Sequence, residues 1–144
     1  MNDRDRNARS IDEILAAIQA RLERVEPAAL ERERALGAVI IDIRPLEQRA
    51  RDGALPGAIV IDRNVLEWRL DPASDHHIAD VTGYDTRIVI VCNEGYSSSL
   101  AAAFLHDVGL YRATDLIGGF QAWLMLTTTG QQNCGSRPEG RLPK

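Results

Sequence analysis

Arg87-Ile-Val-Ile-Val-Cys92-Asn-Glu-Gly-Tyr-Ser-Ser98 is the stretch that decides how this 144-residue chain folds. Ile88 to Val91 is an unbroken β-branched run, the pattern of a strand buried on both faces of a parallel sheet. Ser99-Leu-Ala-Ala-Ala-Phe-Leu-His106, just behind it, suits a helix. Cys92 therefore ends a strand and opens a loop of about six residues that leads into a helix. Gly95 lets that loop take a positive φ, and Ser97 or Ser98 is the expected N-cap. Such a loop turns several backbone N–H groups inward, and those donors together with the helix dipole favour a negative sulfur over a neutral one. A Cys at a strand end is often only a small apolar side chain. A residue that merely packs has no use for converging amides, so the pattern favours a reactive thiol.

Outward from this unit, strands and helices alternate. Residues 1–9 form a charged leader, and Ser10-Ile-Asp-Glu13 reads as a capping box opening a helix that runs to about Val25. Ile11, Ile14, Leu15, Ile18, Leu22 and Val25 make one apolar stripe on it, stopped by Pro27. The stripe needs a partner, and the rest of the chain is expected to supply it; a pairing between two copies, giving a homodimer through this helix, is the other reading. Ala28 to Leu36 is a second helical segment with Gly37 as its C-cap glycine. Ala38-Val-Ile-Ile-Asp-Ile-Arg44 reads as the first buried strand, and Gly57-Ala-Ile-Val-Ile-Asp62, past Pro56-Gly57, as the second. Thr114-Asp-Leu-Ile-Gly-Gly119 is the fourth strand, after the Cys92 strand, and turns into a last helix at Phe120-Gln-Ala-Trp123. The expected architecture is α/β: a mainly parallel central sheet flanked by helices, with an N-terminal amphipathic helix. In such sheets ligands bind beyond the carboxyl ends of the strands. Those ends carry Asp42 and Arg44, Asp62 and Arg63, Cys92, and Gly118 with Gly119, so the expected pocket is a cysteine with arginines nearby.

Composition narrows the function. The chain is 44% hydrophobic and 26% charged, which fits one globular domain with a real core. A net charge of −4 with no basic stripe argues against a nucleic-acid binder. Of the 17 basic residues only Lys144 is a lysine, a bias that suggests a GC-rich bacterial genome and leaves no internal lysine for Schiff-base chemistry. No apolar run approaches a membrane span, and the N-terminal residues are charged instead of carrying a signal-peptide core, so no membrane contact and a cytoplasmic location are expected. From about Thr127 the chain is polar and punctuated by Gly and Pro, a tail expected to be disordered. Cys134 lies in that tail, where a disulfide to Cys92 would have little to staple and a resolving role would need the tail to fold back.

Other suggestive residues have plainer readings. Asp75-His76-His77 invites a metal, but adjacent side chains seldom face one ion and no third ligand is marked, so a solvated loop is expected and no metal site is assigned. His106 should face water near the end of its helix. Trp68 and Arg69 should pack a connecting helix, with lining of the pocket mouth as the alternative. Gly118-Gly119 reads as a turn, because no Gly-Lys-Ser/Thr follows to make a phosphate loop.

Four segments, taken in order, resemble the rhodanese-like (sulfurtransferase) domain family. Ile41-Asp-Ile-Arg-Pro45 is similar to its first segment, Gly53-Ala-Leu-Pro-Gly-Ala58 to its Gly-His-Ile-Pro-Gly-Ala element, Cys92 to Ser98 to its active-site loop, and Gly118-Gly-Phe-Gln-Ala-Trp123 to its closing motif. The resemblance spans roughly Pro27 to Trp123 and divides the chain into leader plus helix (1–26), rhodanese-like domain (27–126) and polar tail (127–144).

The resemblance implies a ping-pong sulfur transfer. Cys92 would attack the outer sulfur of a small donor, thiosulfate or a persulfide, and hold it as a persulfide. The amides of Asn93, Glu94, Gly95, Tyr96, Ser97 and Ser98 would stabilise the charge on the terminal sulfur, with Asp42, Arg44 and Arg63 completing the substrate site. A thiol, cyanide or a protein acceptor would then take the sulfur, and no cofactor is required. Two departures from the family pattern bear on this. Many members carry Arg or Lys in the loop, whereas Glu94 is the only formal charge here and disfavours an anionic donor unless Arg44, Arg63 or Arg69 reaches the mouth. Ala54 replaces the family's His, which should alter the rim more than the chemistry. Related phosphatases and arsenate reductases place Arg six positions after Cys, where this chain has Ser98. The reading from another class is a non-catalytic rhodanese-like module that binds a partner or senses redox state, with the N-terminal stripe as its contact and Cys92 as a modifiable thiol.

Overall fold

Four short strands, β1 (Val39–Asp42), β2 (Ile59–Val60), β3 (Ile88–Val91) and β4 (Ala113–Asp115), pair in the order β2-β1-β3-β4, and every pair is parallel. The structure, a computed structural model, describes residues 7–129. Ile41 lies opposite Ile90 on one side and Ile59 on the other. Alternation along the central strands sorts the core into two layers. Ile41, Ile43, Ile88, Ile90 and Cys92 pack with Leu66, Leu70, Ala101 and Leu105 on one face. Ile40, Val89 and Val91 pack with Leu30, Leu116 and Phe120 on the other. All four residues of β3 are fully buried, as a β-branched run between two helical layers should be.

The helices are α1 (Ile11–Arg21), α2 (Leu30–Ala35), α3 (Leu46–Asp52), α4 (Leu66–Leu70), α5 (Ser97–Val108) and α6 (residues 119–129). Ser10 and Glu13 form the capping box that opens α1. Gly37 takes φ +104 just past α2, the left-handed turn a glycine permits there. The apolar stripe of α1 docks within the chain: α1 packs on α5, with Ile14, Leu15 and Ile18 half-buried and Leu22 and Val25 fully so.

Several boundaries differ from the sequence pattern for identifiable reasons. The first helix stops at Arg21, not Val25, because the next residues pair with β4 instead. Thr114 Oγ1 donates to the Glu23 carbonyl, Val25 N–H to the Asp115 carbonyl, and Ile117 N–H to the Val25 carbonyl. These bonds lay residues 22–25 beside the sheet edge, with a parallel bridge from Val25 to Leu116. The expected strand over 57–62 shortens to two residues, with Val60 half-exposed at the edge. Helix α6 continues through Thr129, so residues 127–129, the first three of the tail expected to be disordered, are helical. The rest of that tail, Cys134 included, lies outside the described residues. Among the described residues no helix is long and apolar enough to cross a membrane.

Candidate active site

Cys92 follows β3 directly and keeps the strand's alternation, so its side chain lies on the face packed by α5 and is 5% exposed. Its Sγ accepts hydrogen bonds from the backbone N–H of Gly95 at 3.1 Å and of Ser98 at 3.3 Å. Ser98 is the second residue of α5, so a free N–H of the helix's first turn is spent on the sulfur. The helix starts at Ser97 with Tyr96 as N-cap and no side-chain cap, in place of the expected Ser97 or Ser98 cap. The reason lies behind the helix: Ser98 Oγ and Ser99 Oγ each donate to Asp115 Oδ2 at 2.7 Å, a charged acceptor that outcompetes a backbone cap.

Three anchors hold the loop. Gly95 adopts φ +88 and lies against the Gly118-Gly119 turn, where a Cβ on Gly95 would sit 2.7 Å from Gly118 N. At the start of α6, Phe120 N–H donates to the Cys92 carbonyl at 2.8 Å and Gln121 N–H to the Asn93 carbonyl at 3.0 Å. The Gln121 side chain also donates to Asn93 Oδ1 and to Asp52 Oδ2. A hydrogen bond from Arg51 holds the Asp52 carboxyl below its ordinary value. From the other side, Arg24 Nη2 and Gln19 Nε2 donate to the Gly95 carbonyl at 2.9 and 3.2 Å.

The sulfur opens on a shallow cleft of about 240 Å³ lined by Ile43, Arg44, Pro45, Gln48, Cys92, Asn93, Glu94, Tyr96 and Ser97. Glu94, Tyr96 and Ser97 are exposed at its rim. A larger cleft of about 810 Å³ sits at the opposite ends of the strands, beside Ala38, Arg87 and Ala113, and is lined by no cysteine. Volume therefore does not select the site; the hydrogen-bonded sulfur does.

The arginines behave differently from expectation. Arg44 lines the cleft, but its guanidinium is fully buried. Its Nη2 lies 2.7 Å from Asp42 Oδ2 and also donates to the Gly53 carbonyl, and the group stacks 3.6 Å over the Phe120 ring. Asp42 is thus the neutralising partner of Arg44 and does not itself line the cleft. Arg63 is not a cleft residue either, since it pairs with Glu67 at 2.8 Å one helical turn on. Arg69 donates to the His76 carbonyl. Asn93, Glu94, Gly95, Tyr96, Ser97 and Ser98 are all brought to the sulfur loop.

The secondary candidates resolve simply. His76 and His77 are exposed, and the described residues contain no cluster of three His, Cys, Asp or Glu side chains able to hold a metal. His106 is partly exposed beside the larger cleft, with Nε2 2.7 Å from the Ala113 carbonyl. Trp68 is 59% exposed and lies outside the cleft, so it neither packs its helix deeply nor lines the mouth. Sequence reasoning missed Gln19, Arg24, Ser99, Asp115 and Gln121. Only Asp115 carried a signal, as a carboxylate inside a strand that the sheet would bury and so oblige to find a cation.

The parallel sheet, the cysteine at a strand's carboxyl end and the amide-lined loop in front of α5 define a family. The rhodanese-like domain profile matches residues 26–126, and the chain belongs to that family. It is 30% identical over 101 residues to thiosulfate sulfurtransferase GlpE of Ectopseudomonas mendocina, covering 70% of this chain and 84% of that one. Among solved structures it is similar to a Rhodopseudomonas palustris protein of unknown function described as a possible tyrosine phosphatase. That similarity has TM-score 0.71 and 34% identity, over 81% of this chain and 89% of the other. The human single-domain sulfurtransferase TSTD1 superposes with TM-score 0.59 and 26% identity over 71% of this chain and 95% of its own.

Proposed function

We propose that the protein is a sulfurtransferase that carries sulfane sulfur as a Cys92 persulfide. The observation that carries this reading is the pair of backbone N–H groups, from Gly95 and Ser98, aimed at Cys92 Sγ at the mouth of an open cleft. Fixed donors of this kind stabilise negative charge without reorganising.

In the first half-reaction the Cys92 thiolate attacks the outer sulfur of a donor. The Cys92 Sγ–S bond forms, the donor's S–S bond breaks, and sulfite or a thiolate leaves with the electron pair. The outer sulfur then bears the negative charge within reach of the loop amides. In the second half-reaction an acceptor thiolate or cyanide attacks that sulfur, and the Cys92 thiolate is regenerated. No net oxidant or reductant is consumed.

The GlpE relative makes thiosulfate one donor to test. A persulfide donor of low charge suits the cleft better, because Arg44 is neutralised by Asp42, Arg63 by Glu67, and the exposed charge on the loop is Glu94. A phosphatase reading fits poorly. The sixth residue after Cys92 is Ser98, whose hydroxyl is committed to Asp115, so the loop has no cation to clamp a tetrahedral oxyanion.

The test is to incubate reduced wild type and Cys92→Ser separately with thiosulfate and with a persulfide donor, then read intact mass and sulfur release to cyanide. Gain of one sulfur by the wild type alone, with thiocyanate formed, is the expected result. No loading from either donor would sink the transferase reading and leave a binding or redox-sensing module.

A further inference from the structure

The family match begins at Glu26, yet two side chains before it reach the sulfur loop. Gln19 projects from α1, and Arg24 from the extended segment that the Val25–Leu116 bridge lays beside β4. Arg24 is mostly buried and spans two acceptors. Its Nε and Nη2 lie 2.9 and 3.2 Å from the two carboxylate oxygens of Asp115, and the same Nη2 lies 2.9 Å from the Gly95 carbonyl. Gln19 Nε2 adds bonds to the Gly95 carbonyl at 3.2 Å and to Ser99 Oγ at 3.1 Å.

These contacts converge on the two residues that donate to Cys92. Gly95 is held through its carbonyl, and Ser98 through its hydroxyl on Asp115, whose charge Arg24 balances. We propose that Arg24 and Gln19 are positioning residues of the active site: the segment preceding the family domain clamps the loop from behind and fixes the Gly95 and Ser98 amides on the sulfur. This rests on the sulfur-transfer reading for its consequence in turnover, but the geometry of the clamp does not. Neither side chain lines the cleft, so neither touches a donor. The clamp therefore acts on the reacting sulfur and not on donor binding, and its loss should appear in kcat and leave KM alone. Misplacement of a stabilising donor by a fraction of an ångström is enough for a measurable effect.

The experiment compares the full chain with Arg24→Gln, Arg24→Lys, Gln19→Leu and a control, Leu22→Ala. The control removes buried contacts from the same segment without touching the loop. Two readouts are taken beside thermal unfolding: kcat and KM for sulfur transfer, and the rate at which neutral iodoacetamide alkylates Cys92. Arg24→Gln should lower kcat about tenfold with KM within about twofold, and slow alkylation by about fivefold. Gln19→Leu, which leaves the Arg24–Asp115 pair in place, should lower both by about twofold to threefold. Arg24→Lys should recover part of the loss, and Leu22→Ala should keep wild-type kcat despite an equal or larger drop in melting temperature.

If Arg24→Gln and Gln19→Leu match wild type in both readouts, or fall no further than Leu22→Ala, the clamp has no positioning role. Alkylation needs no sulfur donor, so a wild type that never forms a persulfide overturns the transferase reading while the alkylation ratios still decide the clamp.

Discussion

A Cβ built on Gly119 would lie 2.5 Å from the carbonyl oxygen of Cys92. The same atom would come within 2.7 Å of the Asn93 carbonyl carbon and Gly95 N, and every one of these neighbours is backbone of the sulfur loop. Gly119 also has φ +62, in the left-handed region. Gly119→Ala must therefore push the loop away or move the start of α6, and the loss should reach about 3 kcal/mol together with most of the sulfur-transfer activity. Gly37→Ala is the control. It shares a positive φ, +104, but has nothing within 4 Å of the added atom, so it should cost about 1–2 kcal/mol and no activity. Urea unfolding and turnover, measured on both, separate close backbone approach from strain alone.

The Arg87–Glu33 pair ties α2 to the start of β3, with Nε 3.0 Å from Oε1. Its hydrogen bond with Arg87 holds the Glu33 carboxyl below the ordinary value of 4.5. A lowered folded-state value means that the unfolded chain binds the proton first as pH falls. The stability from this pair is therefore complete above about pH 4.5 and disappears as pH falls through the lower folded value. Glu33→Gln should cost about 0.5–1 kcal/mol at pH 7, because the pair is only partly buried. The gap between variant and wild type should close at acid pH, and a gap that stays constant from pH 7 to about pH 3 would rule the pair out as a source of acid sensitivity.

Asp42→Asn tests the buried pair beneath the cleft. It would leave the Arg44 guanidinium without its charge partner in a site where both side chains are essentially inaccessible. Breaking such a pair on one side should cost about 3–5 kcal/mol, which lowers the melting temperature by roughly 10 °C or more for a domain of this size. The double variant Asp42→Leu/Arg44→Met should regain much of that loss, since it removes both charges together. A single variant as stable as wild type would show that the pair contributes little.

The fold was readable because its signals are local. The β-branched run before Cys92 and the apolar run before Arg44 each announce a buried strand, and Ser10 with Glu13 announces a helix start, within a few residues. The sulfur loop was readable for the same reason, since strand, Gly95 and helix are contiguous. What stayed hidden depends on distant pairing. Arg24 meets Asp115 across 91 residues, and nothing near Arg24 distinguishes it from a solvated charge on a helix. The early end of α1 has the same origin, because bonds from Thr114, Val25 and Ile117 outweigh the helical pattern of residues 22–25. Arg44 and Arg63 do follow the ends of β1 and β2, and their partners Asp42 and Glu67 lie only two and four residues away. The distant part is the seat that buries the Arg44 guanidinium, made by the Gly53 carbonyl and the Phe120 ring.

Glu94 offers the last prediction, since it is the exposed charge that a donor meets beside Cys92. Thiosulfate is a dianion, and the whole chain carries a net charge of −4, so its approach is opposed both locally and at long range. Glu94→Lys should raise kcat/KM for thiosulfate about tenfold, while a persulfide donor without net charge changes by less than about twofold. Added salt should speed thiosulfate turnover in the wild type, where it screens repulsion, and have a smaller effect in the variant, where the local charge attracts while the chain as a whole stays negative. If thiosulfate kinetics are indifferent to both the substitution and the ionic strength, Glu94 does not set donor choice, and the rim geometry around Tyr96 and Gln48 becomes the place to look.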